Sequence, residues 1–366
     1  MNSFSIGDIK IPVPIIQGGM GIGISLSGLA SAVANMGGVG VISTVGIGLI
    51  AGNVNGSYRK NNINAIREEI KKARRLTQGI LGVNIMSVIT NFSDMVKTSI
   101  EEGIDIIFSG AGLPLDLPKY LKKGIRTKLV PIVSSARAAS ILCNKWKQNY
   151  NYLPDAFVVE GPKAGGHLGF KPETLFDESN NLENLVSGVL RVTSDIQEKF
   201  EKNIPIIAAG GLFSGDDIFQ IIKQGATAVQ LGTRFVATKE CDASAEFKNA
   251  LILAKDTDIK IIKSPVGMPG RTVFNQFLYE ATIGKRKPLS CKYNCIKSCN
   301  SKTTSYCIAD ALVEAFKGNL NNGFVFCGSN AEKITCISTV SDIFKELKRE
   351  YSKAEKDNLK ILKCVN

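Results

Sequence analysis

Short apolar runs and longer amphipathic stretches alternate along most of this 366-residue chain. Val13-Pro14-Ile15-Ile16 predicts a buried strand, Gln17 to Gly21 a loop, 25–35 a helix, and Val39-Gly40-Val41-Ile42-Ser43 the next strand. The same pattern predicts helices over 63–76 and 92–102 and strands over 80–85 and 104–108. A short helix near Lys119, a strand at 129–133 and a helix at 136–150 follow. Next come a strand at 156–159, a helix within 182–202 and a strand at 204–208. The last repeat is a helix opened by Ser214 and Asp217 as a capping box, then a strand at 228–231.

Eight short apolar strands separated by helices, within about 235 residues, predict an α/β fold: a parallel (β/α)8 TIM barrel closed on itself. An open doubly wound sheet has no natural stopping point at eight, and the G-x-G-x-x-G turn followed by an acid is missing. Past Arg234 the alternation stops. The expected organisation is a barrel over 1–239 and a smaller, mainly helical cap or lid over 240–325, inserted after the last strand. A C-terminal segment, 326–366, would then return to the barrel through a helix at 340–348.

Composition narrows the chemistry. The apolar share of 44% suits a packed core. Residues 11–58 carry no charge, yet their twelve glycines and two prolines leave no run near the roughly 20 apolar residues of a membrane span. The net charge of +12 is concentrated late, with 15 basic and 8 acidic residues over 285–366. There it alternates as Lys345-Glu346-Leu347-Lys348-Arg349-Glu350, the pattern of a solvated helix face rather than a nucleic-acid stripe. Five of nine cysteines stand singly, at Cys143, Cys241, Cys327, Cys336 and Cys364, and Met1-Asn2-Ser3-Phe4 has no basic and apolar leader. A reduced, cytoplasmic setting is therefore expected.

Cys291, Cys295, Cys299 and Cys307 differ in spacing from zinc ribbons and common iron–sulfur runs. Steps of four would instead line one helical face, where cysteine packs as a small hydrophobe, so no metal site is assigned. The single histidine, His167, rules out zinc or triad chemistry built on two imidazoles.

In a (β/α)8 barrel the site lies at the C-terminal ends of the strands, and a phosphate commonly sits after strands seven and eight. Those ends are Ala208-Ala209-Gly210-Gly211 and Gln230-Leu231-Gly232-Thr233. Their glycines let backbone N–H groups approach a phosphate, with the helix from Ser214 aimed at the same place. The other strand ends, Gly18-Gly19-Met20, Asn84, Gly110-Ala111-Gly112 and Ser134-Ser135, are small or neutral, suited to a planar ring with amide edges. A cofactor with one phosphate and such a ring is implied, and FMN satisfies both. After strand six, Glu160-Gly161-Pro162-Lys163-Ala164-Gly165-Gly166-His167-Leu168-Gly169 places His167 in a glycine-flanked loop, where an imidazole can move a proton beside an electron-withdrawing group.

These segments, together with Ile15 to Gly21, Gly82-Val83-Asn84-Ile85-Met86 and Gly110 to Pro114, resemble the nitronate monooxygenase family, formerly 2-nitropropane dioxygenases. The same flavin superfamily includes an FMN-dependent enoyl-acyl-carrier-protein reductase. The resemblance covers residues 5 to about 280. It implies a flavoprotein in which Asn84, Glu160, Gly165, Gly166, Gly210, Gly211 and Gln230, Leu231, Gly232, Thr233 contact FMN. Gln17 would also bind the cofactor, Gly18, Gly19 and Met20 would border the isoalloxazine, and His167 would be the acid or base. A nitronate monooxygenase oxidises a small alkyl nitronate or nitroalkane with O2 to a carbonyl compound and nitrite. The reductase alternative takes NADH and an enoyl group on acyl-carrier protein. Gln17 to Met20 and Glu160 stand closer to the reductase branch, Lys163 replaces an acid common to both, and the cysteine-rich lid matches neither. Neither reading needs nucleic acid or membrane, and the oligomeric state is open, a homodimer included.

Overall fold

The computed structural model describes residues 1–51, 56–287 and 290–365. A two-stranded antiparallel hairpin opens the chain, β1 (Phe4–Ile6) and β2 (Ile9–Ile11). Eight parallel strands then close a barrel: β3 (Ile15–Gln17), β4 (Val39–Ser43), β5 (Ile80–Met86), β6 (Ile106–Gly110), β7 (Lys128–Val133), β8 (Phe157–Glu160), and, after a two-residue β9 (Gly166–His167), β10 (Ile206–Ala209) and β11 (Ala228–Leu231). The seam joins β11 to β3, with Gln230 opposite Ile16. The predicted barrel is therefore the observed one.

Helices α1 (Ser27–Asn35), α2 (Tyr58–Leu76), α3 (Phe92–Glu101), α4 (Ala136–Tyr150), α5 (Leu182–Phe200) and α6 (Gly215–Lys223) surround it. Each strand buries both faces, as parallel strands under helices must. Ile15, Ile42, Leu81, Val83, Ile107, Leu129 and Val159 point outward into the layer shared with the helices. Ile16, Val41, Phe108, Val130, Val158 and Ile207 fill the barrel interior. Phe4, Ile6 and Ile11 of the hairpin join this interior cluster and plug the N-terminal end of the barrel. At roughly 1.5–3 kcal/mol per buried large apolar side chain, this inner layer is a major stabilising term. A Cβ on Gly40 would lie 1.8 Å from the Ala30 carbonyl oxygen, so only glycine lets α1 pack this close to β4.

Among the boundaries that differ from the sequence expectation, three stand out. Helix α2 starts at Tyr58, because Ser57 caps it by accepting the Lys60 N–H. Strand β6 is shifted to 106–110 from the expected 104–108. The final helix, α11 (Val340–Val365), runs well past Lys348, since Ile343, Phe344, Leu347 and Tyr351 form a continuous buried stripe. Its charged residues lie largely on the outer face, with an ion pair between Lys345 and Asp342.

After β11 come α7 (Thr233–Val236), α8 (Ala245–Ile252), β12 (Ile259–Lys263), β13 (Pro269–Val273), α9 (Gln276–Thr282), α10 (Ile308–Phe316) and β14 (Val325–Phe326). The expected helical pieces are present, accompanied by an antiparallel sheet in which β13 pairs with β12, β14 and β9. The helical face expected for Cys291, Cys295 and Cys299 is overturned. That stretch is irregular: Ile296 bridges Ile89, Lys297 N–H donates to the Val88 carbonyl, and Asn294 sits at φ 44°. The four thiols are free, and Cys295 and Cys307 pack beside Ile22 and Val313. Among the described residues no group of three or more His, Cys, Asp or Glu is placed to hold a metal ion, and no helix is long and apolar enough to cross a membrane.

Candidate functional site

A cavity of about 970 Å³ opens over the C-terminal ends of the barrel strands. Gly18, Gly19, Met20, Asn84 and Glu160 line it from the barrel. Gly165, Gly166 and His167 line it from the loop after β8. Gly210, Gly211, Gln230, Leu231, Gly232 and Thr233 complete the wall under β10 and β11. The structure thus gathers these sequence candidates in one place, with one exception.

Gln17 is not on the wall. It is fully buried beneath it, its Oε1 accepting the Val41 N–H at 3.0 Å and its Nε2 donating to the Gly18 carbonyl. The β3–β4 ladder is a single register pair, Ile16 with Val39, so this carboxamide supplies a cross-strand bond that the backbone does not. Its role is to hold the floor together.

The N-terminus of α6 also differs from expectation. Side-chain acceptors already take most of its orphan N–H groups: Asp217 accepts from Ser214 and from the preceding Phe213, Ser214 Oγ from Asp217, and Glu350 of α11 takes Gly215 N–H at 2.7 Å. The helix end is neutralised by its own acids, so the loop glycines, not the α6 dipole, form the anion-facing surface. Gly210 and Gly211 adopt φ of 94° and 86°, a region that favours glycine. A Cβ on Gly211 would lie 2.7 Å from Lys163 Cβ.

A third loop, absent from the sequence reading, closes this end. Gly328 N–H donates to Thr233 Oγ1 at 2.8 Å, Ser329 N–H to the Lys163 carbonyl at 3.1 Å, and Asn330 Nδ2 to the Gly211 carbonyl at 2.7 Å. The hydroxyls of Ser43 and Ser329 are buried on the cavity wall without a protein partner. Buried polar groups are rarely left so. Glycine cradles at the phosphate end and orphaned hydroxyls on the wall fit a phosphate-bearing polar ligand. Among the described lining residues Glu160 is the only carboxyl, against Lys163, Lys171 and Arg234.

His167 belongs to the antiparallel sheet as much as to the barrel. In β9 it pairs with Gly270 of β13, its ring meets the edge of Phe326 at 5.0 Å, and its Nε2 lies 2.7 Å from Ser264 Oγ. The ring faces the cavity rather than bulk water, and burial lowers its pKa to about 4. Burial pushes Glu160 the other way, to about 7. Both groups are thereby biased toward neutrality near pH 7. Ser264 and Phe326 were not singled out in the sequence; the only local signal was the nearby turn Gly267-Met268-Pro269-Gly270.

The sequence model of the nitronate monooxygenase family matches residues 2–350. The chain belongs to that family. A probable nitronate monooxygenase of Staphylococcus aureus (strain Newman) is 29% identical over 302 residues, covering 74% of this chain and 78% of the relative. FabK from Thermotoga maritima superposes with a TM-score of 0.72 at 27% identity, covering 97% and 96% of the two chains. A nitroalkane oxidase from Streptomyces ansochromogenes shares the fold, with a TM-score of 0.72 at 20% identity over 95% and 98%. This member of the family is an enzyme, a flavin-dependent oxidoreductase acting on a small molecule.

Proposed function

We propose that this enzyme is an FMN-dependent nitronate monooxygenase, oxidising an alkyl nitronate with O2 to a carbonyl compound and nitrite. The observation that carries the reading is the position of His167: a neutral imidazole held against the cavity by Ser264, opposite the glycine loops. The phosphate of FMN would rest on Gly210, Gly211, Gly232 and Thr233, with Lys163 and Ser329 beside it. Asn84, Glu160, Gly165 and Gly166 would border the rest of the cofactor, and Gly18, Gly19 and Met20 the ring. When bound, FMN supplies the electron transfer from substrate to oxygen.

The residues then have separate tasks. Lys163 and Lys171 supply positive charge to the cavity, Arg234 being paired with Glu346, and this attracts an anionic nitronate. Ser264 and Phe326 cover part of the His167 ring. Because the imidazole is weakly basic, it is better suited to a substrate that arrives as the nitronate than to one whose α-proton must first be removed.

A second reading is an NADH-dependent reductase of enoyl groups carried on acyl-carrier protein. Met86, Val88, Leu113, Met268 and Leu312 give the cavity an apolar wall that suits an aliphatic chain, and the likeness to FabK points the same way. An anaerobic titration followed by flavin absorbance separates the two. Bleaching by ethyl nitronate or propionate 3-nitronate, with oxygen uptake on re-aeration and no NADH, is the expected result. Rapid bleaching by NADH, reversed by a crotonyl thioester, would replace it with the reductase.

A further inference from the structure

Between the end of β8 and His167 the chain makes a loop that leaves the barrel ladder after Gly161, whose N–H donates to the Ala209 carbonyl of β10 at 2.9 Å. Beyond that point it is held by Ser329 N–H on the Lys163 carbonyl and by the lid. Arg271, on β13, is buried, 6% exposed, and one guanidinium nitrogen, Nη1, donates to the carbonyls of both Pro162 and Ala164, at 2.7 and 2.6 Å. Arg271 stands opposite Gly166 in the β13–β9 register, one position from the Gly270–His167 pair. Among the described residues it forms no salt bridge with any carboxylate. A buried guanidinium without a counter-ion is costly, and its bonds to neutral carbonyls are charge-assisted.

We infer that Arg271 is the positioning residue for His167: it clips the loop between Glu160 and His167 to the central strand of the lid sheet. The strand that carries Arg271 also leads from Ser264, so a single lid element fixes the loop at two carbonyls, its backbone through Gly270, and the ring through the Ser264 hydroxyl. Gly165 is held from the other side, since a Cβ there would lie 2.6 Å from the Cys327 carbonyl carbon. The imidazole is thus placed by the lid, and a displaced clip moves it away from the cavity. This inference rests on the reading of His167 as the acid or base.

The chain has one histidine, so the holoenzyme labelled with 15N-histidine gives a single set of ring signals. Arg271→Met removes both bonds and the charge; Arg271→Lys keeps a charge and donors on a shorter stem. The expected order, from wild type through Arg271→Lys to Arg271→Met, is a progressive shift of the ring signals toward those of a free imidazole. kcat falls in the same order, by about 10²-fold in the Met variant, and KM moves less than kcat. Should the Met variant fail to fold, the Lys variant decides alone, by a partial ring shift and a several-fold lower kcat. Wild-type ring signals in either folded variant overturn the inference, whether or not flavin is lost. The ring signals are read without turnover, so the clip can stand even where His167→Ala retains activity and the functional reading falls.

Discussion

His167 Nε2 and Ser264 Oγ meet at 2.7 Å although 97 residues separate them in the chain. The serine hydroxyl can donate to or accept from the imidazole, so the ring stays partnered in either tautomer. Ser264→Ala removes the protein partner of this part-buried ring nitrogen, worth about 0.5–1.5 kcal/mol. The expected outcome is a fall in kcat of up to roughly tenfold with flavin retained, measured by steady-state oxygen uptake. Wild-type kcat in that variant would take the hydroxyl out of the chemistry.

With a neutral nitroalkane, whose α-proton the imidazole must take, His167→Ala should lower kcat by about 10²-fold or more, and with the preformed nitronate by much less. With His167 intact, the acidic limb of kcat/KM should lie near pH 4, since burial lowers its pKa to about 4. An inflection at the ordinary histidine value, near 6.5, would mean that the ring is solvated in the working enzyme.

Glu160 and His167 set opposite limits on stability. The Glu160 carboxyl is raised from 4.5 to about 7, so its contribution is present below pH 4.5 and is lost as pH rises through 7. The His167 imidazole is lowered from 6.5 to about 4, so its contribution is present above pH 6.5 and is lost as pH falls through 4. Glu160→Gln keeps the shape without the charge. Melting temperatures of wild type and variant should run together below pH 4.5, separate progressively between pH 4.5 and 7, and hold a constant gap above pH 7, with the variant the more stable. Parallel curves would show that Glu160 is ionised throughout.

Gly211 is the sharpest test of the phosphate end. Alanine there must adopt φ near 86° and press against Lys163, at a cost of about 1–2 kcal/mol in backbone conformation alone. Gly211→Ala should fold yet bind flavin at least tenfold more weakly, read from fluorescence on dilution. Unchanged affinity would move the phosphate elsewhere.

The barrel was readable because its strands are buried on both sides: unbroken runs such as Val39-Gly40-Val41-Ile42-Ser43 have no other use in a chain of this composition. The cavity glycines and His167 were readable because a barrel places its strand ends together. Ser264, Arg271 and Ser329 were not, because each reaches the site through pairing between segments far apart in sequence. Gln17 misled for a related reason: it stands at a strand end, but its side chain turns inward to Val41. The cysteine segment misled because spacing alone does not reveal that Asn294 breaks the helix.

The last helix packs on α6 and α1, and Phe344 stacks near Phe235 just outside the seam of the barrel. A Cβ on Gly215 would lie 2.2 Å from the Leu347 carbonyl oxygen. During synthesis, all eight barrel strands therefore leave the ribosome before the element that braces their closing seam. A nascent chain must hold the join between its first and last barrel strands without this brace until α11 has been made.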